Sequence, residues 1–385
     1  MKVEEIISLL PEQEIKFLSA ETKVDHQVKK LHGFLVFKLI LFSMLNSTKL
    51  SLRVMESFLL SAQFKTFTKT DEVNAKYNSI RDRISTIKSE YFEKIFELLF
   101  EKYNRLLKEE FSISKMDSTF INISSKLVHW GMDNGTKGLG LKYMKFTVTV
   151  KGSLPSSVQI YKDQNYVNDN KAFPEAIFKN KFLDNSVLIF DRGLQTRKVF
   201  NEMTDKRILF VGRIKTDVSY KQIRKIKLPK SDKKSSVELM EDIEVYLVSG
   251  YHYQYTPNSF RLIKAKIKNS GEIIYLITNY FDVSAYEIAG MYKQRWEIEV
   301  FFKFLKQHLN LKHIVSRNDN AIKVMIYMTL ILSMLLIVYK KINKITGFKI
   351  AKLKFEIELD NLLIKEIVVL CGGNPEKAAH FWTST

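Results

Sequence analysis

Val187-Leu188-Ile189-Phe190-Asp191-Arg192-Gly193 is a run of four apolar residues that stops at an aspartate and a turn. Four consecutive apolar positions without alternation describe a strand covered on both faces, as in a sheet with helices above and below. Upstream, residues 144–150 (Met-Lys-Phe-Thr-Val-Thr-Val) alternate clearly, residues 113–123 alternate in part, and 157–161 read as a third short strand. Three strands in succession predict an antiparallel meander. A helix is predicted at 171–180, another at 194–203, and a strand at 208–211. A meander followed by strand, helix and strand fits an α/β layer and not an all-β sandwich.

The flanks differ in texture. Residues 1–110 read as helical: apolar residues recur three and four apart between 35 and 60, and again at Tyr91, Phe92, Ile95, Leu98 and Leu99. Breaks are expected at 46–49 and 68–71. No helix-turn-helix signature is legible there, so the region reads equally as a DNA-binding bundle or as a cap on the core. Residues 216–281 are strand-rich but more polar, with strands expected at 245–248, 260–267 and 273–278, and read as a β-rich insertion. From 284 onward the pattern is helical again. The expected organisation is a helical region over 1–110, an α/β core over 111–215 and 282–345, the insertion over 216–281, and a helical tail over 346–385.

Composition narrows the partners. The 385 residues include 61 Lys and Arg against 42 Asp and Glu, a formal net charge of +19. A surplus of that size favours a polyanion, either nucleic acid or an anionic membrane. A single cysteine, Cys371, excludes an intramolecular disulfide and implies a reducing compartment, and the seven scattered histidines give no zinc spacing. The opening Met1-Lys2-Val3-Glu4-Glu5 lacks the basic-then-apolar order of a signal peptide. Residues 324–339 are uncharged and mostly apolar. A membrane span needs about 20 such residues, so this shorter run, like 34–45 with its Lys38, reads as a core helix. No membrane association is expected.

The sharpest chemical feature is Tyr292-Lys293-Gln294-Arg295-Trp296-Glu297-Ile298-Glu299-Val300-Phe301-Phe302-Lys303-Phe304-Leu305-Lys306. On one continuous helix, Tyr292, Arg295, Glu299 and Lys306 fall within about 60° of arc. Met291, Ile298, Phe302, Leu305 and Leu309 flank that stripe on one side, and Trp296, Val300 and Phe304 on the other. Arg295 and Glu299 alone make an ordinary i,i+4 ion pair. A carboxylate among phosphate-gripping cations is also what phosphoryl transfer requires, because the carboxylate can hold a hard divalent ion. Such chemistry needs further carboxylates. Asp117, within the first strand of the meander, and Asp191, at the end of the buried strand, are the candidates. A local Asp-Ser-Thr turn bond for Asp117, and a helix cap or turn for Asp191, explain each one separately.

Together these residues resemble the DDE transposases of the insertion-sequence-four group. That signature is Tyr, two residues, Arg, three residues, Glu, six residues, Lys, and it stands complete as Tyr292, Arg295, Glu299 and Lys306. Asp117-Ser118-Thr119 is similar to the family's first aspartate motif and Asp191-Arg192-Gly193 to its second, although Leu194 stands where an aromatic often follows. Arg213-Ile214-Lys215 is similar to its basic strand, and Ile277-Thr278-Asn279 with Ala285-Tyr286-Glu287-Ile288-Ala289 to its approach to the signature helix. The likeness runs from about residue 112 to 340.

The resemblance implies a ribonuclease-H-like core, a mixed sheet flanked by helices. It implies metal-dependent cleavage at transposon ends and strand transfer, cut-and-paste and open to a hairpin end. Asp117, Asp191 and Glu299 would coordinate two Mg²⁺ ions, with Mn²⁺ able to substitute. Tyr292, Arg295 and Lys306 would hold phosphates, with Arg192, Arg213 and Lys215 as further contacts. Trp296 would be a stacking surface or, equally, a core aromatic. The implied partners are double-stranded DNA, as terminal inverted repeats and target, and a second copy of the chain in the DNA complex. The implied location is the bacterial cytoplasm, at the nucleoid when DNA-bound. A nuclease without strand transfer and a non-catalytic DNA-binding descendant are the alternatives.

Overall fold

A computed structural model describes every residue of the chain except 1, 9, 48, 71–72, 110–111, 124–129, 134–141, 181–185, 250–253, 310, 312–315, 317 and 376–385. Helices come first: α1 (Val3–Ser8), α2 (Glu12–Glu21), α3 (Gly33–Leu45), α4 (Leu52–Leu59), α5 (Ala62–Thr68), α6 (Tyr77–Thr86) and α7 (Ser89–Leu107). Next are β1 (Ile113–Asn122), β2 (Tyr143–Lys151), β3 (Leu154–Tyr161), α8 (Asp169–Lys179), β4 (Val187–Phe190), α9 (Arg197–Asp205), β5 (Leu209–Ile214), β6 (Tyr220–Lys225), β7 (Val237–Ser249), β8 (Gln254–Tyr255), β9 (Phe260–Ile267) and β10 (Ile273–Thr278). The chain closes with α10 (Ala285–Lys293), α11 (Trp296–His308), α12 (Asp319–Ile342) and α13 (Phe348–Leu370). It divides into a helical unit, Met1–Lys108 with Lys303–Thr385, and a sheet unit, Glu109–Phe302.

In the helical unit, α12 is the central element. Asn318 caps it by accepting from the Ala321 N–H at 3.1 Å, and every residue from 324 to 339 is buried. The helix is long and apolar enough to cross a membrane, yet 94% of its most apolar window is buried inside the protein. A helix apolar on all sides needs such cover, which α7, α13 and α6 provide. α13 presents Ala351, Phe355, Leu359 and Leu363, one per turn, as its buried stripe. Lys38 does not open α3 to solvent. Its ammonium is buried, 2.5 Å from Glu12 and over the rings of Phe34 and Phe67. Burial holds its pKa below the usual lysine value, partly offset by Glu12.

The sheet unit carries the expected meander: β1 pairs antiparallel with β2, and β2 with β3. β4 lies parallel to β1, and β5 parallel to β4. Among the described residues the strands make one sheet of order β3-β2-β1-β4-β5-β10-β9-β7-β6, with β8 on β7. This mixed sheet flanked by helices is the ribonuclease-H-like arrangement. The strands within 216–281 extend the core sheet, because β10 pairs antiparallel with β5.

β4 explains why its sequence does not alternate. Leu188 and Phe190 pack with Phe173, Phe200 and Phe210 on one face, while Val187 packs with Val211, Ile263 and Ile288 on the other. Phe190, Phe200 and Phe210 stack on one another with centroids 5.4–6.1 Å apart. Gly212 on β5 makes room for them, since an added Cβ would stand 2.2 Å from the Phe190 ring.

Two expectations need correction. The helix after Asp191 starts at Arg197 and not near 194, because residues 191–196 are tied up in a hydrogen-bonded loop. The signature stretch is not one helix. α10 ends at Lys293 and α11 begins at Trp296. Across the junction the amides bond three residues back, Arg295 to Tyr292 and Ile298 to Arg295, which tightens the chain into a turn.

Candidate active site

Strand register brings the two aspartates together. β1 and β4 run parallel, and their last matched pair is Lys115 with Ile189. Asp117 and Asp191 each stand two residues beyond that pair, so they lie side by side on the same face. Asp117 Oδ1 accepts from the Ser118 N–H at 2.7 Å, and Asp191 Oδ1 from the Gly193 N–H at 2.7 Å. These are the local turn bonds anticipated for both, and they orient the carboxylates without neutralising them.

Burial and neighbouring charge both act on the proton affinities of the acids. Burial and then the charge of Asp191 push Asp117 up to about 7, opposed by the Ser118 N–H and Arg295. Burial also raises Asp191. The charges of Asp169 and Glu299 add to that rise, against the Gly193 N–H and Arg295. Asp117, Asp191, Glu299, Arg295 and a fourth acid, Asp169, therefore form one electrostatic neighbourhood.

Glu299 arrives from the other side of the sequence. It lies in the first turn of α11, where a carboxylate suits the helix dipole. Arg295 Nη1 donates to its Oε1 at 2.5 Å. The guanidinium also stands over the Tyr292 ring, 5.8 Å from the centroid, and its Nε is buried without a hydrogen-bond partner among the described residues. Burial raises the Tyr292 pKa, while Arg295 and Arg213 pull it down. α11 is fastened to the sheet through Glu297. The buried Lys115 Nζ on β1 donates to Glu297 Oε2 at 2.6 Å and to the Gly152 carbonyl at 2.8 Å.

The family model described as "Transposase DDE domain" matches residues 109–335. The chain belongs to that family. It is a DDE transposase. A putative transposase, y4zB, of Sinorhizobium fredii is 29% identical over 66% of this chain and 69% of its own length. A putative transposase for insertion sequence element IS4SA of Synechocystis sp. is 30% identical, over 63% of this chain and 65% of its own. A probable transposase for insertion sequence element IS5377 of Geobacillus stearothermophilus is 25% identical, over 77% and 79%. Among solved structures, a piggyBac transposase synaptic complex with hairpin DNA aligns over 94% of this chain and 79% of its own, at 10% identity and a TM-score of 0.44.

Not every residue singled out in the sequence of this transposase joins the cluster. Arg213, on β5, is paired with Glu272. Lys215 and Arg192 are exposed, and the Lys215 N–H donates to Gln195 Oε1 at 3.2 Å. Lys306 lies two turns beyond Glu299 on α11, half-buried, in the helical unit. Trp296 is 64% exposed and Val300 is exposed too, whereas Phe304, on the same flank of the signature stretch, is buried. The exposure of its ring removes the reading of Trp296 as a core aromatic.

DDE transposase domains use divalent metal ions, and the donor set here suits a hard cation. It consists of carboxylate oxygens, and Asp117 and Asp191 are raised first by burial and then by neighbouring acid charge, a burden that such an ion relieves. Among the described residues no three acidic, cysteine or histidine groups already converge on one point, and Glu299 is engaged by Arg295. Lys115, Lys145 and Asp169 were invisible to motif reading. In sequence they are two lysines on strands and a helix-start aspartate. Only the anomaly of a lysine at inward positions of β1 and β2 marks them out.

Proposed function

We propose that this transposase cuts DNA at the ends of a mobile element and joins the freed 3′-OH to target DNA, with Asp117, Asp191 and Glu299 holding two Mg²⁺ ions. The observation that carries this reading is the side-by-side placement of Asp117 and Asp191 next to the Arg295–Glu299 pair. When bound, the metal supplies an activated water and charge stabilisation of the attacking and leaving oxygens, a role that Mn²⁺ can also fill. The chain's own residues do the rest. Arg295, whose buried Nε lacks an acceptor among the described residues, grips a phosphate at the scissile position, and Tyr292 backs its guanidinium. Arg192, Arg213 and Lys215 follow the strand beside the two aspartates.

The partner is duplex DNA, as terminal inverted repeats and as target. The net charge of +19 and eleven Lys or Arg against two Asp over 206–234 support this. Two ends must be joined, so the working assembly is a homodimer on DNA. A hairpin on the transposon end is the proposed route to double-strand release. The work takes place in the cytoplasm, at the nucleoid, in keeping with bacterial relatives.

The test is cleavage of DNA carrying the flanking element end, wild type against Asp191→Ala, with and without Mg²⁺. Cleavage that needs Mg²⁺ and disappears in the variant supports the reading. Tight DNA binding with no cleavage by either protein would replace it with a non-catalytic binder.

Two contacts can be checked by binding alone. Lys306→Ala is expected to weaken binding to a cleaved end uniformly across sequences and to flatten the salt slope by about one unit. An unaltered slope would make Lys306 structural. Trp296→Ala is expected to lower affinity for an end with an unpaired base by about 1–3 kcal/mol, with no loss on blunt duplex. Equal effects on both substrates would rule out stacking on an unpaired base.

A further inference from the structure

The start of α8 holds the loop that carries Asp191. Asn170 Oδ1 accepts from the Gln195 N–H at 2.7 Å and from Thr196 Oγ1 at 2.8 Å. Asp169, one residue earlier, fits against Gly193. A Cβ added at Gly193 would meet Asp169 Oδ2 at 2.6 Å and Asp191 Oδ1 at 2.9 Å, so both carboxylates border the same point. Gly193 is the residue whose N–H orients Asp191.

Asp169 is itself anchored from below. Lys145 on β2 is fully buried, and its ammonium donates to Asp169 Oδ1 at 2.5 Å and to the Val167 carbonyl at 3.0 Å, beneath the Phe120 ring. A buried ammonium without a carboxylate partner would be costly, so this pair fixes Asp169 in place. One oxygen of Asp169 serves Lys145, and the other borders the Asp191–Gly193 turn.

We infer that Asp169 is a positioning residue for Asp191: locked by Lys145, it props the Asp191–Gly193 turn and lends its negative charge to the acidic cluster. Asp169 thereby extends the site to four carboxylates. Of these, three would meet the metal and one would hold the geometry. The inference rests on the proposed metal-dependent reading of that site.

The test uses the full chain without DNA and reads Mn²⁺ affinity from the EPR signal of free Mn²⁺, alongside the thermal midpoint. Asp169→Asn keeps the shape and removes the charge. It is expected to weaken Mn²⁺ binding about tenfold. Because this variant also strands Lys145, the double variant Lys145→Met with Asp169→Asn is measured beside it. The double variant is expected to recover the thermal midpoint while Mn²⁺ binding stays weak. Recovery of both, or Mn²⁺ affinity unchanged in both variants, would show a purely structural pair and overturn the inference. Asp191→Asn is the control. If it too leaves Mn²⁺ binding untouched, the metal reading of the whole site fails, which is a different result from failure of Asp169 alone.

Discussion

Replacing Glu299 by alanine is expected to lower end cleavage by at least about 10³-fold, roughly 4 kcal/mol of transition-state stabilisation, while DNA binding survives. The two effects separate because Glu299 faces neighbours of two opposite kinds. Toward Asp117 and Asp191 it would, in the proposed site, complete the set of oxygen ligands. Toward Arg295 it is an ion-pair partner at 2.5 Å that competes with phosphate for the guanidinium. Without Glu299 the proposed metal site would lose a ligand, but Arg295 would be released toward DNA, so affinity is expected to hold or rise slightly. Cleavage and gel-shift assays on one substrate measure both. Cleavage within tenfold of wild type would remove Glu299 from the catalytic set. Loss of binding in parallel with cleavage would mean that the variant had disturbed α11 and not the chemistry.

The second large effect lies away from the chemistry. Asp242 on β7 and Arg261 on β9 make a bidentate pair at 2.9 and 2.6 Å, with side chains 0% and 4% exposed. Arg261 also donates to the Val283 carbonyl at 2.5 Å, in the segment that leads into α10 and hence to Tyr292. Asp242→Ala would leave a guanidinium buried without its counter-charge, which costs about 3–5 kcal/mol. Chemical denaturation is expected to show a large fall in midpoint. Replacing both partners by apolar residues should recover most of it, since a buried pair is worth little relative to well-packed hydrophobes. A loss below about 1 kcal/mol for Asp242→Ala would show that water reaches Arg261.

The elements of the sheet unit were legible because their patterns are local. The alternation at 144–150 predicted β2, and the unbroken run Val187–Phe190 predicted a strand buried on both faces, which the two hydrophobic clusters bear out. The Tyr-Arg-Glu-Lys spacing by itself pointed to the family. It did not show that the stretch breaks at Gln294 and Arg295. Helical periodicity cannot tell a continuous helix from two helices joined by a three-residue-spaced turn, because i and i+3 remain neighbours in both. Trp296 therefore read equally as core or surface, and the structure leaves it exposed.

What the sequence alone determined is the chemistry present: two aspartate motifs, a glutamate among cations at fixed spacing, a strongly basic chain, and the family these imply. What only the tertiary structure decided is which charges meet. Parallel register set Asp117 beside Asp191 across about 70 residues of chain. Lys115 reached Glu297, Lys145 reached Asp169, and Arg261 reached Asp242 across intervals of 182, 24 and 19 residues. None of these pairs has a sequence signature, because a lysine or aspartate looks the same whether it faces water or a buried partner. Its partner is fixed by burial, and burial is a property of the packed sheet.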